Sequence, residues 1–206
     1  MTEVIFVQDG QLTRSVEVQS GEKAEMILLV LPGVSCDIRL DVKLAGEGSE
    51  ANVYGAYVCG GEEKVKIAVD MHHDLPHCNS RQLFKGIAGG TSKVDFYGKI
   101  IVAKDAQRTE AYQENHNILL TDGAKVDTKP QLEIYADDVK CSHGATIGRL
   151  NEEEQFYMRS RGITLEDAKV LQMISFIAPV FENIEDEAER ERVTAQFESA
   201  IRNLVR

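Results

Sequence analysis

The sequence has no tryptophan, no Cys-x-x-Cys pair, no long apolar run and no excess of basic residues. Each absence closes a class of function. Its four cysteines, Cys36, Cys59, Cys78 and Cys141, are widely spaced, which argues against both a disulfide framework and a standard zinc finger. The longest apolar stretch, Met26 to Pro32, is strand-sized and far short of the ~20 residues of a membrane-spanning helix. Lys and Arg number 23 against 34 Asp and Glu, a net charge of −11 that repels nucleic-acid phosphates and anionic lipid headgroups. Neither nucleic acid nor a membrane is an expected partner. The opening Met1 to Val7 has no basic segment and no apolar core of signal-peptide length, so a cytoplasmic chain is expected. No Gly-x-Ser-x-Gly elbow and no Gly-x4-Gly-Lys-[Ser/Thr] loop occurs, and no nucleotide site is expected. With only 6% aromatic residues, a sugar-acting enzyme with an aromatic groove is a poor fit.

What is present is a long series of short β-favouring runs up to about Leu150. They include Val4–Val7, Ser15–Val18, Met26–Leu31, Cys36–Leu44, Ala51–Cys59, Lys64–Val69, Val94–Val102 and Leu132–Tyr135. In Cys36–Leu44, Ile38, Leu40, Val42 and Leu44 alternate with Asp37, Arg39, Asp41 and Lys43, the period-2 pattern of a strand with one buried face. Gly46-Glu47-Gly48, Gly60-Gly61, Gly89-Gly90 and Thr121-Asp122-Gly123 punctuate the runs as turns. Strand starts recur loosely at about 20 residues, which suits stacked β-coils or an antiparallel sandwich.

After Leu150 the period becomes helical. Asn151 with Glu154, and Thr164 with Asp167, read as capped helix starts, and Gly162 as a left-handed stop. Val170, Ile174, Ile177, Phe181 and Ile184 form one stripe, with Pro179 expected to kink or break the helix around Ala178. Val193, Phe197, Ile201 and Leu204 form another. The reading is a β-domain over residues 1–150 and a small helical domain over 151–206.

Two groups of residues carry metal-ligand chemistry. His72, His73, His77 and Cys78 lie in seven residues that read either as a ligand cluster or as a polar turn with Cys78 facing inward. Cys141 and His143, at i and i+2, share one face of a strand with Cβ atoms about 7 Å apart. They read as half of a metal or cluster site completed from elsewhere, or as a buried thiol beside a hydrogen-bonded histidine. A stand-alone metal-binding protein built on His72, His73, His77 and Cys78 is the alternative function.

The stretch Lys129 to Gly148, with Ala136-Asp137-Asp138-Val139-Lys140-Cys141-Ser142-His143-Gly144-Ala145-Thr146 at its centre, closely resembles the signature of the SufB/SufD family of iron–sulfur cluster assembly proteins. Its Cys-Ser-His-Gly wording is closer to the SufD branch. Phe156 to Ile163 follows where the family has its next segment, and His77 to Gly86 matches one upstream. The resemblance implies a right-handed parallel β-helix followed by a small C-terminal α-helical domain, and so favours stacked coils. It also implies a non-catalytic scaffold that pairs through its β-helix with a SufB-like subunit or a second copy of itself. The helices would dock a SufC-like ABC ATPase, with Phe156, Tyr157, Arg159, Arg161 and Gly162 at the contact. His143 would hold a nascent Fe–S cluster at the subunit interface, with Cys141 in support. Where the SufB branch has its cluster-building cysteine, this chain reads Glu114-Asn115-His116-Asn117, leaving His116, like His77 and Cys78, a weaker candidate ligand. Longer members carry a further N-terminal region, which places reduced flavin in doubt for this chain.

Overall fold

The computed structural model describes residues 2–205. Eleven strands come first: β1 (Thr2–Phe6), β2 (Gly10–Val18), β3 (Lys23–Val30), β4 (Cys36–Leu44), β5 (Glu50–Cys59), β6 (Lys64–His73), β7 (Asn79–Ala88), β8 (Lys93–Val102), β9 (Glu110–Leu119), β10 (Lys125–Ile134) and β11 (Lys140–Gly148). Three helices follow: α1 (Glu152–Ser160), α2 (Leu165–Phe181) and α3 (Glu187–Val205). Odd strands form one parallel sheet in the order β1-β3-β5-β7-β9-β11, and even strands a second, β10-β8-β6-β4-β2. The chain thus winds back and forth as a parallel β-helix of about five turns. Register carries Lys23 to Glu50, Asn79, Glu110 and Lys140, so rungs advance by 27 to 31 residues. The 20-residue recurrence expected from the sequence fell between the single strand and this two-strand rung. Strand lengths of 8 to 10 and unequal turns blur the shorter repeat.

The two sheets read differently because they face different surroundings. Even strands bury only their inner face, and β4 alternates as its sequence does. The middle of the odd sheet, β3 to β7, is covered on both faces, so β5 is buried along nearly its whole length. Its inner face, with Val53, Tyr57 and Cys59, joins the core between the sheets. Its outer face, with Tyr54, Ala56 and Val58, joins a second core against Val170, Met173, Ile177, Phe181, Phe197 and Ile201 of α2 and α3. The helical stripes seen in the sequence are the lid of this second core. α2 runs through Pro179 to Phe181, so of the kink or break expected around Ala178 the break does not occur. Pro179 sits in the last turn, where the next two residues, Val180 and Phe181, are held by burial. Gly86 lies inside β7, and the expected turn at Gly89-Gly90 makes the bend.

One turn is tied by charge. The Glu63 carboxylate accepts backbone N–H bonds from Gly33 (2.8 Å), Gly61 (2.7 Å) and Gly60 (3.2 Å), joining the bends of two successive rungs. Burial pushes this carboxyl up, but the converging N–H groups outweigh it and hold it below the ordinary carboxylate range. Glu63→Gln keeps the shape and removes the charge, and hydrogen bonds to charged groups contribute about 1.5–3 kcal/mol each. The expected loss is about 2–3 kcal/mol, a fall of roughly 5–10 °C in Tm by calorimetry.

Candidate functional site

The sequence-predicted ligands divide between three places. His72, on the outer face of β6, lies 3.6 Å from Asp41. His73 points into the bore, where Nε2 meets Ser80 Oγ at 2.8 Å and Nδ1 has no partner. His77 takes a positive φ of 61° in the turn, and the buried Cys78 thiol donates to the Gly46 carbonyl at 3.2 Å. These four groups are not brought together. Among the described residues no group of three or more His, Cys, Asp or Glu is arranged to hold a metal ion. The segment is the polar turn closing a rung.

His73 has a measurable consequence. Burial pulls its pKa down to about 4 against the opposing pull of Asp74, while an unfolded histidine titrates near ~6.5. Below the unfolded value the unfolded chain takes up a proton that the folded chain refuses. Stability present at pH 7 is therefore lost as pH falls from 6.5 through 4, by about 3 kcal/mol from this residue. Urea unfolding at pH 7 and pH 4 should show His73→Gln losing that much less on acidification than the parent.

Cys141 and His143 stand on β11, the last strand of the odd sheet. Cys141 pairs in register with Ala111 and is packed against the inner core, so His143, two residues on, shares its inward face. Burial pushes the Cys141 thiol up, partly opposed by the Ala111 backbone N–H. His143 is exposed, because β11 is the rim of the bore. Beneath it the inner face turns from apolar to polar. Tyr57, Gln82, Gln113, Asn115 and Asn117 are all buried there, and Tyr57 is bonded to Asn117 (2.5 Å) and Asn115 (3.2 Å). This polar lining carried no spacing signal in the sequence and was missed. Its only trace was the unusual density of amides in Glu110–Leu119, where a buried strand would ordinarily carry Val or Ile. His116 lies on the opposite, outer face of β9, bonded to Thr146 Oγ1 at 2.9 Å and near Glu114. It is thus separated from His143 by the sheet.

The final rung has free edges. β10 and β11 each have one neighbouring strand, β8 and β9, among the described residues. Lys140 N–H bonds the carbonyl of Thr109, the residue just before β9, so by parallel alternation the amides of Cys141, His143, Ala145 and Ile147 face outward. In β10 the amides of Lys125 and Tyr135 bond back to Ser92 and Val102, which puts Pro130 at an outward position, where its missing N–H costs no ladder bond.

The aromatic segment forms α1, capped by Asn151 Oδ1 on the amides of Glu153 and Glu154. It ends at Arg161 and Gly162, the glycine at φ 89°. Gln155 is its one buried residue, held by Gln172 of α2 at 2.9 Å. Phe156 and Tyr157 are 73% and 60% exposed, and the Arg161 guanidinium lies 5.3 Å from the Tyr157 ring centre. Arg159 lines a groove of about 590 Å³ on one side of α1 with Phe156 and Leu165, while Tyr157, Leu171 and Phe176 line one of about 750 Å³ on the other. No helix among the described residues is long and apolar enough to cross a membrane.

Comparison with known proteins meets this geometry. Residues 12–176 match the family model described as SUF system FeS cluster assembly, SufBD core domain. The chain is 42% identical to the iron–sulfur cluster assembly protein SufD of Escherichia coli K12, over 75% of this chain and 37% of that protein. It is 31% identical to a SufBD family iron–sulfur cluster assembly protein of Mycobacterium leprae, over 84% of this chain and 46% of the relative. It is also 41% identical to the chloroplastic protein ABCI7 of Arabidopsis thaliana, over 61% and 27%. The chain therefore spans less than half the length of each of these relatives. With the match running from the second strand into the second helix, through the β11 rim that carries His143, this chain belongs to the SufB/SufD family of iron–sulfur cluster assembly proteins.

Proposed function

We propose that this chain is a non-catalytic scaffold subunit of a SUF-type iron–sulfur cluster assembly complex. It pairs through the open end of its β-helix with a SufB-like subunit or a second copy of itself. It docks a SufC-like ABC ATPase through its C-terminal helices in the cytoplasm, and ATP hydrolysis belongs to that partner. The nascent cluster is cargo. His143, supported by Cys141, supplies one side of its coordination, and the remaining ligands come from across the interface. Two potential donors on one strand are too few to hold a cluster alone, which is why the interface must complete the set. Phe156, Tyr157, Arg159 and Arg161 supply the docking surface, and Gly162 ends the helix that presents them.

The observation that carries this reading is the pair of unpaired strand edges at the rim where His143 stands. Unpaired edges are templates for strand addition, and such pairing carries main-chain hydrogen bonds across an interface. Ala145→Pro tests it, because it removes one outward amide and leaves the bonds to β9 intact. Light scattering after size exclusion should give a paired mass for the parent, alone or with a SufB-like partner, and a single-chain mass for the variant. Far-UV circular dichroism should be unchanged. A variant that pairs as well as the parent would sink the edge-pairing proposal.

A further inference from the structure

A column of inward side chains runs beneath the His143 rim. Register places Val53, Gln82, Gln113 and His143 one above another on β5, β7, β9 and β11. Gln82 and Gln113 are 0% and 1% exposed. The Gln113 Nε2 donates to Gln82 Oε1 at 2.9 Å, so its amide is committed downward. The space across the bore is held by Gly98, whose missing side chain is what admits this amide: a Cβ there would lie 2.8 Å from Gln113 Oε1. Gln113 Oε1 is buried and has no partner, as is true of Gln82 Nε2 below it. A buried carbonyl oxygen left without a donor costs about 1–3 kcal/mol, and natural interiors seldom retain one without a reason.

The geometry points to Gln113 as the positioning residue of His143: the free Oε1 accepts a ring N–H from His143, which fixes one tautomer of the imidazole. His143 occupies the next place in the same column, about 4.8 Å up the sheet, within reach of a side-chain rotation. Its strand neighbours on the inner face, Cys141 and Ala145, bring a thiol already set against the Ala111 amide and a methyl group. The ring nitrogen facing the bore then carries the proton. The other nitrogen, facing the rim, keeps its lone pair for a ligand. Histidine ligands are commonly oriented by a hydrogen bond at the second nitrogen, which also raises their basicity. The Gln82 amide serves by keeping Gln113 turned the right way. This inference rests on the reading of His143 as a ligand, but it concerns only the resting chain.

The test is long-range proton–nitrogen NMR of the chain labelled with ¹⁵N histidine. The expected result is one dominant His143 tautomer, a slowly exchanging ring N–H, and a cross-peak from that proton to the Gln113 amide. Gln113→Met, similar in volume and without the acceptor, should abolish the slow exchange and return a mixture of tautomers. Gln113→Glu, which keeps an acceptor oxygen at that place, should restore the slowly exchanging ring N–H. A mixed tautomer and no cross-peak in the parent would overturn the inference even if no variant folded, as would identical spectra for parent and Gln113→Met. His143→Ala in a cluster-assembly assay addresses the other reading separately. Full assembly with that variant would remove His143 from the cluster site and leave the tautomer result standing.

Discussion

Replacing Phe156, Tyr157 and Arg159 together with alanine is expected to weaken binding of the ABC-type ATPase roughly 100-fold or more, with the fold intact. Both halves of that expectation follow from how α1 is built. The helix contributes a single buried residue, Gln155, and neither of the two apolar cores takes a residue from it. Its attachment is the Asn151 cap, the Gln155–Gln172 bond and the Gln172 bond to Glu154, none of which the triple change touches. Removing two exposed rings should therefore leave Tm within a few degrees. Exposed aromatics beside a basic side chain and flanked by grooves have the composition of interface hot spots, where each truncation costs about 2 kcal/mol or more. Titration calorimetry with the ATPase would check the affinity. An unchanged Kd would place docking on another surface, and a collapse of Tm would mean that α1 belongs to the core.

Gly86→Ala is expected to destabilise the β-helix by about 4 kcal/mol, beyond the usual range for added methyl groups. The Tyr57 ring lies across Gly86, so a Cβ would overlap it and would also approach Asn117 Oδ1 to 2.5 Å. Tyr57 cannot move aside: it is 1% exposed, and its hydroxyl is bonded to both Asn117 and Asn115. Calorimetry should record a fall in Tm of roughly 8–16 °C. Gly144→Ala, on the rim with nothing within 4 Å of the new methyl, is the control and should change stability by no more than about 0.5 kcal/mol. Gly86→Ala combined with Tyr57→Leu should lose less than the sum of the single changes, because the overlap is between those two residues. Strict additivity would show that the cost arises elsewhere.

Much of this molecule could be read from the residues. The alternation in Cys36–Leu44 gave β4, the caps at Asn151 and Thr164 opened α1 and α2 as observed, and the stripes through Val170 and Val193 marked the faces that are buried. Such signals are local: each depends on side chains a few positions apart, whose relation is set by the geometry of a strand or a helix turn. The β11 segment was also legible, since Cys141 and His143 at i and i+2 share a face in any strand.

Other features depend on the rung, which relates residues about 30 apart. Sequence spacing could not tell that His73 enters the bore while His72 stays outside and Cys78 turns away to Gly46, so a four-ligand cluster remained open until the turn was seen. Nor could it tell that the middle strands of the odd sheet are covered twice, because a continuous apolar run such as Ala51–Cys59 fits a strand in many settings. Pro179 shows the same limit: a local rule allowed a kink or a break, and the helix continues past it to the buried Val180 and Phe181. By itself the sequence determined most of the strands, the three helices, the faces that alternate cleanly, and the family. Only the stacking of rungs decided which faces meet, because register across a sheet is set by long-range packing. That stacking put Gln113 under His143, Tyr57 over Gly86, and His143 on an edge that is still free to pair.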